Sequence, residues 1–337
     1  MRVGILLALV SAAAFGTSGA VARSMLDAGW SPGAVVTLRI GVAALVMLVP
    51  TALALRGRWG VLRRRARLVV VYGVMAVAGA QLAYFSAIQH LSVGVALLIE
   101  YLAPVLIVGY LWARTGRRPG RLTVAGVVLS LLGLILVLDL TGEVRISLVG
   151  VLWALLAAVG LSVYFLGADD DSGDAVPPVA LAGSGLVVGT VVLGVAGGIG
   201  LLPMRASTAD VQLAGATVPW WVPGLELALL AGAFAYVLGI FAVRQLGSTV
   251  GSFMSLTEVL FAVLFAWFLL GELPLPVQGL GGLLIVAGVV AVRLGAQGAR
   301  PDVPAPAALR APAPPESAAP VPVLSAYAGD SYRKSSE

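Results

Sequence analysis

Apolar residues dominate this chain in long runs that short polar connections separate. A helix of about 20 residues crosses a hydrocarbon core of about 30 Å, so runs of this length predict transmembrane helices. The first run follows only Arg2 and ends in small residues, as a cleaved signal peptide would, but it is long and has a counterpart in the second half. We therefore predict an all-α membrane protein with ten spans, at residues 3–22, 33–55, 68–88, 91–112, 122–140, 147–167, 178–202, 223–243, 247–270 and 275–294.

The composition agrees with a polytopic membrane protein. Of the 337 residues 60% are apolar and 11% are charged, whereas soluble domains have about 45–50% and about 25%. Cysteine is absent, which excludes disulfides and cysteine metal sites. The net charge of +5 comes from basic residues grouped between the spans. We therefore expect a lipid bilayer as the surroundings and no nucleic acid as a partner.

The distribution of arginine predicts the orientation. The 55–68 connection holds six arginines and the 112–122 connection holds four, whereas the alternate connections hold few. Because basic connections stay in the cytoplasm, both termini are expected to be cytoplasmic and the location to be the cytoplasmic membrane. Residues 296–337 are rich in proline and alanine, which predicts a disordered cytoplasmic tail.

An internal repeat divides the chain into two halves, 1–142 and 143–295. At a shift of 155 positions Trp112 meets Trp267 and Pro119 meets Pro274, and at a shift of 146 Pro32 meets Pro178. Each half has five predicted spans, and an odd number makes the second half enter the membrane from the opposite side. Such inverted repeats place a substrate site near the midplane, and rocking of the halves gives alternating access.

Several segments resemble the EamA-type transporters of the drug/metabolite transporter superfamily. The resemblance covers about residues 1–295 and rests on the 5+5 plan, on Gly271-Glu272 and on the tenth span; within it, 83–106 and 249–263 look most like amino-acid exporters of the threonine/homoserine kind. It implies ten helices, a central cavity and efflux of small polar metabolites. The chain departs from the pattern at Val259, where many relatives have proline after the glutamate, and at Arg117, where the second repeat has Glu272.

Two predicted spans carry a carboxylate near their middle, Glu100 and Glu258. A charge at this depth costs at least about 2.5–3.5 kcal/mol, so both should face protein or water rather than lipid. Glu100 corresponds to Ser255 in the repeat, and Glu258 follows three residues later on the same helix face, so both acids can face one cavity. The acids could exchange protons, bind a substrate amine, or serve as structural acids bonded to a neighbouring helix or to Arg39.

Other polar residues within spans are candidates for orienting a substrate. Arg39 lies about two turns from the end of its span, where it could pair with a carboxylate or merely anchor the helix at the interface. Ser248, Ser252 and Ser255 form a stripe that lines a cavity or packs against a helix. The remaining candidates, for which packing is the alternative, are Gln81, Tyr84, Tyr164 and Tyr236.

Competing functions are a channel, a structural membrane protein and an intramembrane serine protease. The last would use Ser18 of the Gly16–Gly19 motif with His90, although a lone histidine in a connection is usually solvated. The sequence shows no phosphate loop, metal-ligand cluster or nucleotide fingerprint, so we expect no enzyme activity, cofactor or metal. The prediction is a secondary transporter that exports a small metabolite, such as an amino acid or a drug-like solute. Proton coupling and a homodimer are further hypotheses.

Overall fold

The structure is a computed structural model that describes residues 2–91, 93–137, 147–170, 172–270 and 275–298. Two π-helical segments, Tyr72–Gly79 and Glu226–Phe234, interrupt the α-helices. The α-helices are α1 Arg2–Gly16, α2 Ser18–Asp27, α3 Pro32–Ala54, α4 Gly60–Arg64, α5 Ala66–Val71, α6 Ala80–Ala87, α7 Val93–Glu100, α8 Ala103–Thr115, α9 Arg121–Val137, α10 Leu148–Ala168, α11 Pro178–Gly198, α12 Trp221–Leu225, α13 Ala235–Leu246, α14 Ser248–Ser255, α15 Thr257–Leu270 and α16 Pro276–Gly298.

Among the described residues, nine helical stretches are long and apolar enough to cross a membrane, and α9 is a shorter tenth. Five of these spans are composite: α1 with α2, α5 with α6 through the first π-helical segment, α7 with α8, α12 with α13 through the second, and α14 with α15. The predicted all-α polytopic fold with about ten spans is confirmed. The predicted end of the fifth span at 140, the boundary at 142 and the tail beyond Gly298 lie outside the described residues.

A small β-hairpin lies in the longest connection between described spans, where the sequence predicted only a loop. Strand β1, Val211–Leu213, pairs antiparallel with β2, Ala216–Val218, and Val211 lies opposite Val218. The two turn residues Ala214 and Gly215 both have positive φ, of 52° and 78°. This is the backbone geometry that closes a two-residue hairpin. Val211 is fully buried, so the hairpin is packed onto the helices beneath it.

The two halves run in opposite directions. Gly126 and Gly133 of α9 correspond to Gly281 and Gly288 of α16 in the repeat. A Cβ at Gly133 would lie 2.6 Å from the Gly281 carbonyl oxygen, and one at Gly126 would lie 2.6 Å from that of Gly288. The earlier glycine of each helix thus packs on the later glycine of the other. Equivalent helices that cross in this antiparallel sense make the repeat an inverted one.

The other helix pairs obey the same pseudo-symmetry. The first span packs on the eighth and the third on the sixth; the first also packs on the ninth, and the fourth on the sixth. Exchanging the two halves converts the first–eighth pair into the sixth–third pair. It likewise converts the first–ninth pair into the sixth–fourth pair. The second span packs on the seventh, its own counterpart. The molecule is therefore built around an approximate two-fold axis, and a site near this axis draws residues from both halves.

Charged contacts tie together two connections at one end of the bundle. Arg64 donates a 2.6 Å hydrogen bond to Asp174, and Arg65 donates one of 2.7 Å to the hydroxyl of Ser172. The Arg64 guanidinium holds the pKa of the Asp174 carboxyl group below its usual range. Both partners of this pair are exposed, so water screens the interaction and it adds little to stability. The contact fixes the position of the arginine-rich connection relative to the second half.

Candidate functional site

A cavity of about 110 Å³ lies between the two halves and is lined by residues of seven spans. Eight of the residues that the sequence predicts as binding or coupling candidates border it. They are Arg39, Gln81, Tyr84, Glu100, Tyr164, Tyr236, Ser255 and Glu258. The rest of the wall is mostly small or aromatic, with Ala8, Ala12, Phe15 and Phe85 among its members. The arrangement is a compact polar cluster enclosed by apolar helices.

Both acids stand at breaks in their helices. Helix α7 ends at Glu100 and α8 begins at Ala103, followed by Pro104. Proline has no N–H to bond the carbonyl four residues earlier, which is that of Glu100, so the helix loses one hydrogen bond at this point and is prone to break there. The break therefore lies where Glu100 and Tyr101 border the cavity.

The second break lies at the equivalent position and has no proline. Helix α14 ends at Ser255 and α15 begins at Thr257, directly before Glu258. Here hydroxyl groups bond the backbone instead: Ser255 donates to the Ser252 carbonyl at 2.8 Å and Thr257 to that of Met254 at 2.7 Å. Such bonds compete with the helix ladder and bend it. The helix break between α14 and α15 therefore forms although Val259 stands where many relatives have proline.

The two carboxyl groups are electrostatic neighbours within one polar cluster. Glu100 interacts with Glu258 and with Arg39, and the hydroxyl of Tyr101 lies next to the carboxyl group of Glu258. Tyr101 is 3% exposed. Two acids that face each other repel when both are ionised, so a shared proton or a bound cation stabilises the pair. The cluster is therefore suited to binding a proton or an ammonium group.

Arg39 is a buried cation and not an interfacial anchor. Its side chain is 3% exposed, and its Nη2 donates a 2.7 Å hydrogen bond to the carbonyl of Ala231 in the second π-helical segment. The rings of Phe15 and Phe85 lie 5.9 and 5.8 Å from the guanidinium carbon. Within the described part of the chain Nε has no hydrogen-bond partner. The guanidinium thus borders the cavity with hydrogen-bonding capacity to spare.

The two π-helical segments occupy equivalent positions in the repeat. In each of them, the carbonyl at the same repeat position accepts a hydrogen bond from a side chain. Ala76 of the first corresponds to Ala231 of the second, and its carbonyl accepts a 3.3 Å bond from the Tyr236 hydroxyl. The wide turns of a π-helix leave carbonyls free for such side chains, and they occur often at functional sites. Gln81 corresponds to Tyr236 in the repeat, and its amide donates to that hydroxyl at 2.6 Å. This pair joins the halves close to the two-fold axis.

Several residues near the cavity escaped the sequence predictions. Tyr101 borders the cavity. Glu226 interacts with Arg39 of the cavity wall. One carboxylate oxygen of Glu226 accepts a hydrogen bond from Thr17, and the other is buried without a partner among the described residues. Glu226 lies at the start of its span, close to two tryptophans, so its position suggested an interfacial residue. Thr17 marks the break between α1 and α2, and no feature of the sequence distinguishes it from other threonines in spans.

The serine stripe divides between cavity and packing. Ser255 borders the cavity, whereas Ser248 and Ser252 are buried in the helix packing, at 4% and 0% exposure. Ser18 borders the cavity as well, but His90 is exposed and is not among the lining residues. A nucleophile and its base must lie within hydrogen-bond reach. The arrangement therefore gives no support to the serine protease alternative.

A sequence model of the EamA-like transporter family matches residues 2–139 and 148–294, which together make up most of the chain. The chain belongs to the EamA-like transporter family. It is therefore a multi-pass membrane transporter of small solutes and not an enzyme. The two matched ranges are the tandem repeat whose packing is described above, so the family resemblance seen in the sequence is confirmed.

The EamA-like chain is similar to curated bacterial proteins over nearly its whole length. It is 26% identical over 295 residues to the threonine/homoserine exporter RhtA of Escherichia coli strain K12, covering 86% of this chain and 90% of that protein. It is 23% identical over 300 residues to the uncharacterized inner membrane transporter YicL of Salmonella typhimurium, covering 87% and 96%. A solved crystal structure with 22% identity superposes with a TM-score of 0.65 and covers 87% of this chain and 98% of the other. That similarity concerns the fold.

Proposed function

We propose that this EamA-like transporter exports a small amino acid across the cytoplasmic membrane by alternating access. The observation that carries the proposal is that two acids and one guanidinium border a single cavity between the inverted halves, and that the guanidinium Nε has no hydrogen-bond partner among the described residues. A zwitterion carries the complementary pair of charges. The similarity to an exporter of threonine and homoserine supports the same solute class, and both termini are taken to face the cytoplasm.

The repeat indicates that a helix break at these positions does not require an acid. In the repeat Glu100 corresponds to Ser255 and Glu258 corresponds to Ala103, and the helix break forms at both places. One half thus tolerates a serine or an alanine where the other has a carboxylate. Ionisable groups within a membrane are costly, and they mark substrate or proton pathways when packing does not require them. We infer that the two acids bind the amine of the solute and a proton in turn.

Uptake into proteoliposomes tests the proposal. A panel of labelled amino acids that includes threonine and homoserine is offered with and without a pH gradient, to the wild type and to Glu100→Gln and Glu258→Gln. We expect saturable uptake that the gradient accelerates, and a loss of this acceleration of at least about tenfold in one of the two variants, because glutamine cannot exchange a proton. Asp210→Asn, which changes an exposed carboxylate in the connection before β1, is the control and should match the wild type.

Three results would contradict the proposal at different points. Uptake that neither saturates nor responds to the gradient would indicate a channel. Gradient-driven uptake that persists unchanged in both glutamine variants would return Glu100 and Glu258 to a structural role. Export of a drug-like solute, with no amino acid transported, would agree with a carrier mechanism and contradict the proposed solute class.

A further inference from the structure

Arg39 breaks the pseudo-symmetry of the cavity. Its counterpart in the repeat is Gly185, and a Cβ there would lie 2.9 Å from the ring of Tyr72, which fills the corresponding space. The carbonyl of Ala76, equivalent to the one that Arg39 bonds, is satisfied by the Tyr236 hydroxyl instead. The second half therefore builds the same helix crossing without a cation. Packing alone does not account for a buried arginine at this position.

The guanidinium also lacks a protein counter-ion at bonding distance. None of the ion pairs within 4.0 Å in the described part of the chain involves Arg39, although Glu226 and Glu258 interact with it over a longer range. One carbonyl satisfies one of its N–H groups, and Nε has no partner among the described residues. A buried donor without a partner costs free energy, and a planar guanidinium is shaped to bind a carboxylate through two N–H groups.

Charge is distributed across the cavity in a way that orients a solute. The cation lies on the second span, flanked by Phe15 and Phe85, and the two acids lie on the fourth and ninth spans. A solute with a carboxylate at one end and an ammonium group at the other satisfies both sets at once. The rings of Phe15 and Phe85 make the surroundings of Arg39 apolar, and apolar surroundings strengthen a charge-assisted bond.

We propose that Arg39 is the carboxylate-binding residue of the site, so that the transporter selects zwitterions in which a free carboxylate accompanies the amine. This inference rests on the proposed export of amino acids and adds the residue that fixes the orientation of the solute. A cationic amine without a carboxylate would reach the acids but leave the guanidinium without a partner. It is therefore expected to bind more weakly than the amino acid.

Binding to purified protein in detergent tests the inference separately from transport. The probes are L-threonine and L-threoninamide, which differ only in the carboxyl group, measured by calorimetry on the wild type, Arg39→Gln and Arg39→Lys. Because a hydrogen bond to a charged group contributes about 1.5–3 kcal/mol, the wild type should prefer the acid at least about tenfold. Arg39→Gln should abolish this preference, because it weakens the binding of threonine and leaves the binding of threoninamide unchanged.

Control variants separate recognition from folding. Arg39→Lys should keep part of the preference, because lysine retains the charge and loses the planar fork. Arg23→Gln changes an exposed arginine paired with Asp27 and should retain the full preference. Equal affinity of the wild type for acid and amide overturns the inference, even where Arg39→Gln does not fold. The same preference in wild type and Arg39→Gln overturns it too, as does a wild type that binds neither probe. A preference that depends on Arg39 in a protein that transports neither probe upholds the inference and contradicts the proposed function.

Discussion

Tyr236 is the residue on which the polar contacts of the cavity converge. Its hydroxyl accepts a 2.6 Å hydrogen bond from the amide of Gln81 and donates one of 3.3 Å to the Ala76 carbonyl. Its ring packs edge-on against the rings of Phe15 and Tyr164. It is 4% exposed. The residue thus links the first, third, sixth and eighth spans and holds the amide of Gln81 in place beside the acids.

Removing this hydroxyl should destabilise the protein. In Tyr236→Phe the Gln81 amide and the Ala76 carbonyl both lose a partner in a buried site, and leaving such groups unpaired costs about 1–3 kcal/mol. We expect a lower thermal unfolding midpoint in detergent. Tyr110→Phe, which removes an exposed hydroxyl bonded weakly to Arg114, should leave the midpoint unchanged. Equal midpoints for the wild type and Tyr236→Phe would show that water or a second rotamer satisfies these groups.

The candidate site was predictable where the sequence violates an expectation. Carboxylates inside apolar runs are rare enough to identify Glu100 and Glu258 as residues that face protein or water, whereas for Arg39 the sequence left anchoring at the interface as an alternative. Tyr101 carries no such signal, because tyrosine is ordinary in spans. Glu226 was missed because its distance from the predicted end of its span was short. Partners across the cavity, such as Gln81 and Tyr236, could be named as candidates but not paired.

At the scale of elements, the crossing of α9 and α16 depends on glycine. A Cβ at Gly133 would lie 2.6 Å from the Gly281 carbonyl oxygen and 2.7 Å from the Ile285 nitrogen, so backbone atoms of the partner helix would have to move. Close approach of this kind is how helices pack in a membrane. The interface joins the last span of each half, and it holds the two-fold arrangement together.

Enlarging one of these glycines should separate the two helices. Gly133→Ala is expected to destabilise the protein by about 1–3 kcal/mol, the usual cost of overpacking, and Gly288→Ala should cost a similar amount because the contact is symmetric. Gly194→Ala is the matched control, since Gly194 is also helical and a Cβ there meets nothing within 4 Å. Thermal unfolding in detergent measures all three. If Gly133→Ala and Gly194→Ala unfold at the same temperature, the packing of this crossing is looser than described.

Element boundaries follow physical signals that differ in strength. The break after Glu100 has a visible cause in Pro104, whereas the break at Leu256 depends on hydroxyl bonds that could form in any helix. The π-helical segments have no distinctive sequence, because they are apolar on nearly all sides and the change of helix face that one extra residue causes leaves no visible mark. Ten spans were predictable from apolar length alone. The hairpin was not, since its strands are only three residues long.

At the scale of the whole molecule, the central claim is that the cavity opens to each side of the membrane in turn. Inverted halves that exchange conformations give two states related by the pseudo-two-fold axis. The cavity lies between the two halves and is bordered by Ser255. The boundaries proposed for the two repeats, 1–142 and 143–295, and the cytoplasmic position of the termini belong to the same account and remain predictions.

The most direct test is the accessibility of a single cysteine at Ser255, which the natural absence of cysteine makes clean. Ser255→Cys is treated with a membrane-impermeant maleimide in right-side-out and in inverted vesicles, with and without saturating threonine. We predict labelling from both faces and a change in the ratio of the two rates when threonine is present. Gly109→Cys, on the exposed surface of its span, should not be labelled. Labelling from one face only, in a protein that still transports, would contradict alternating access through this cavity.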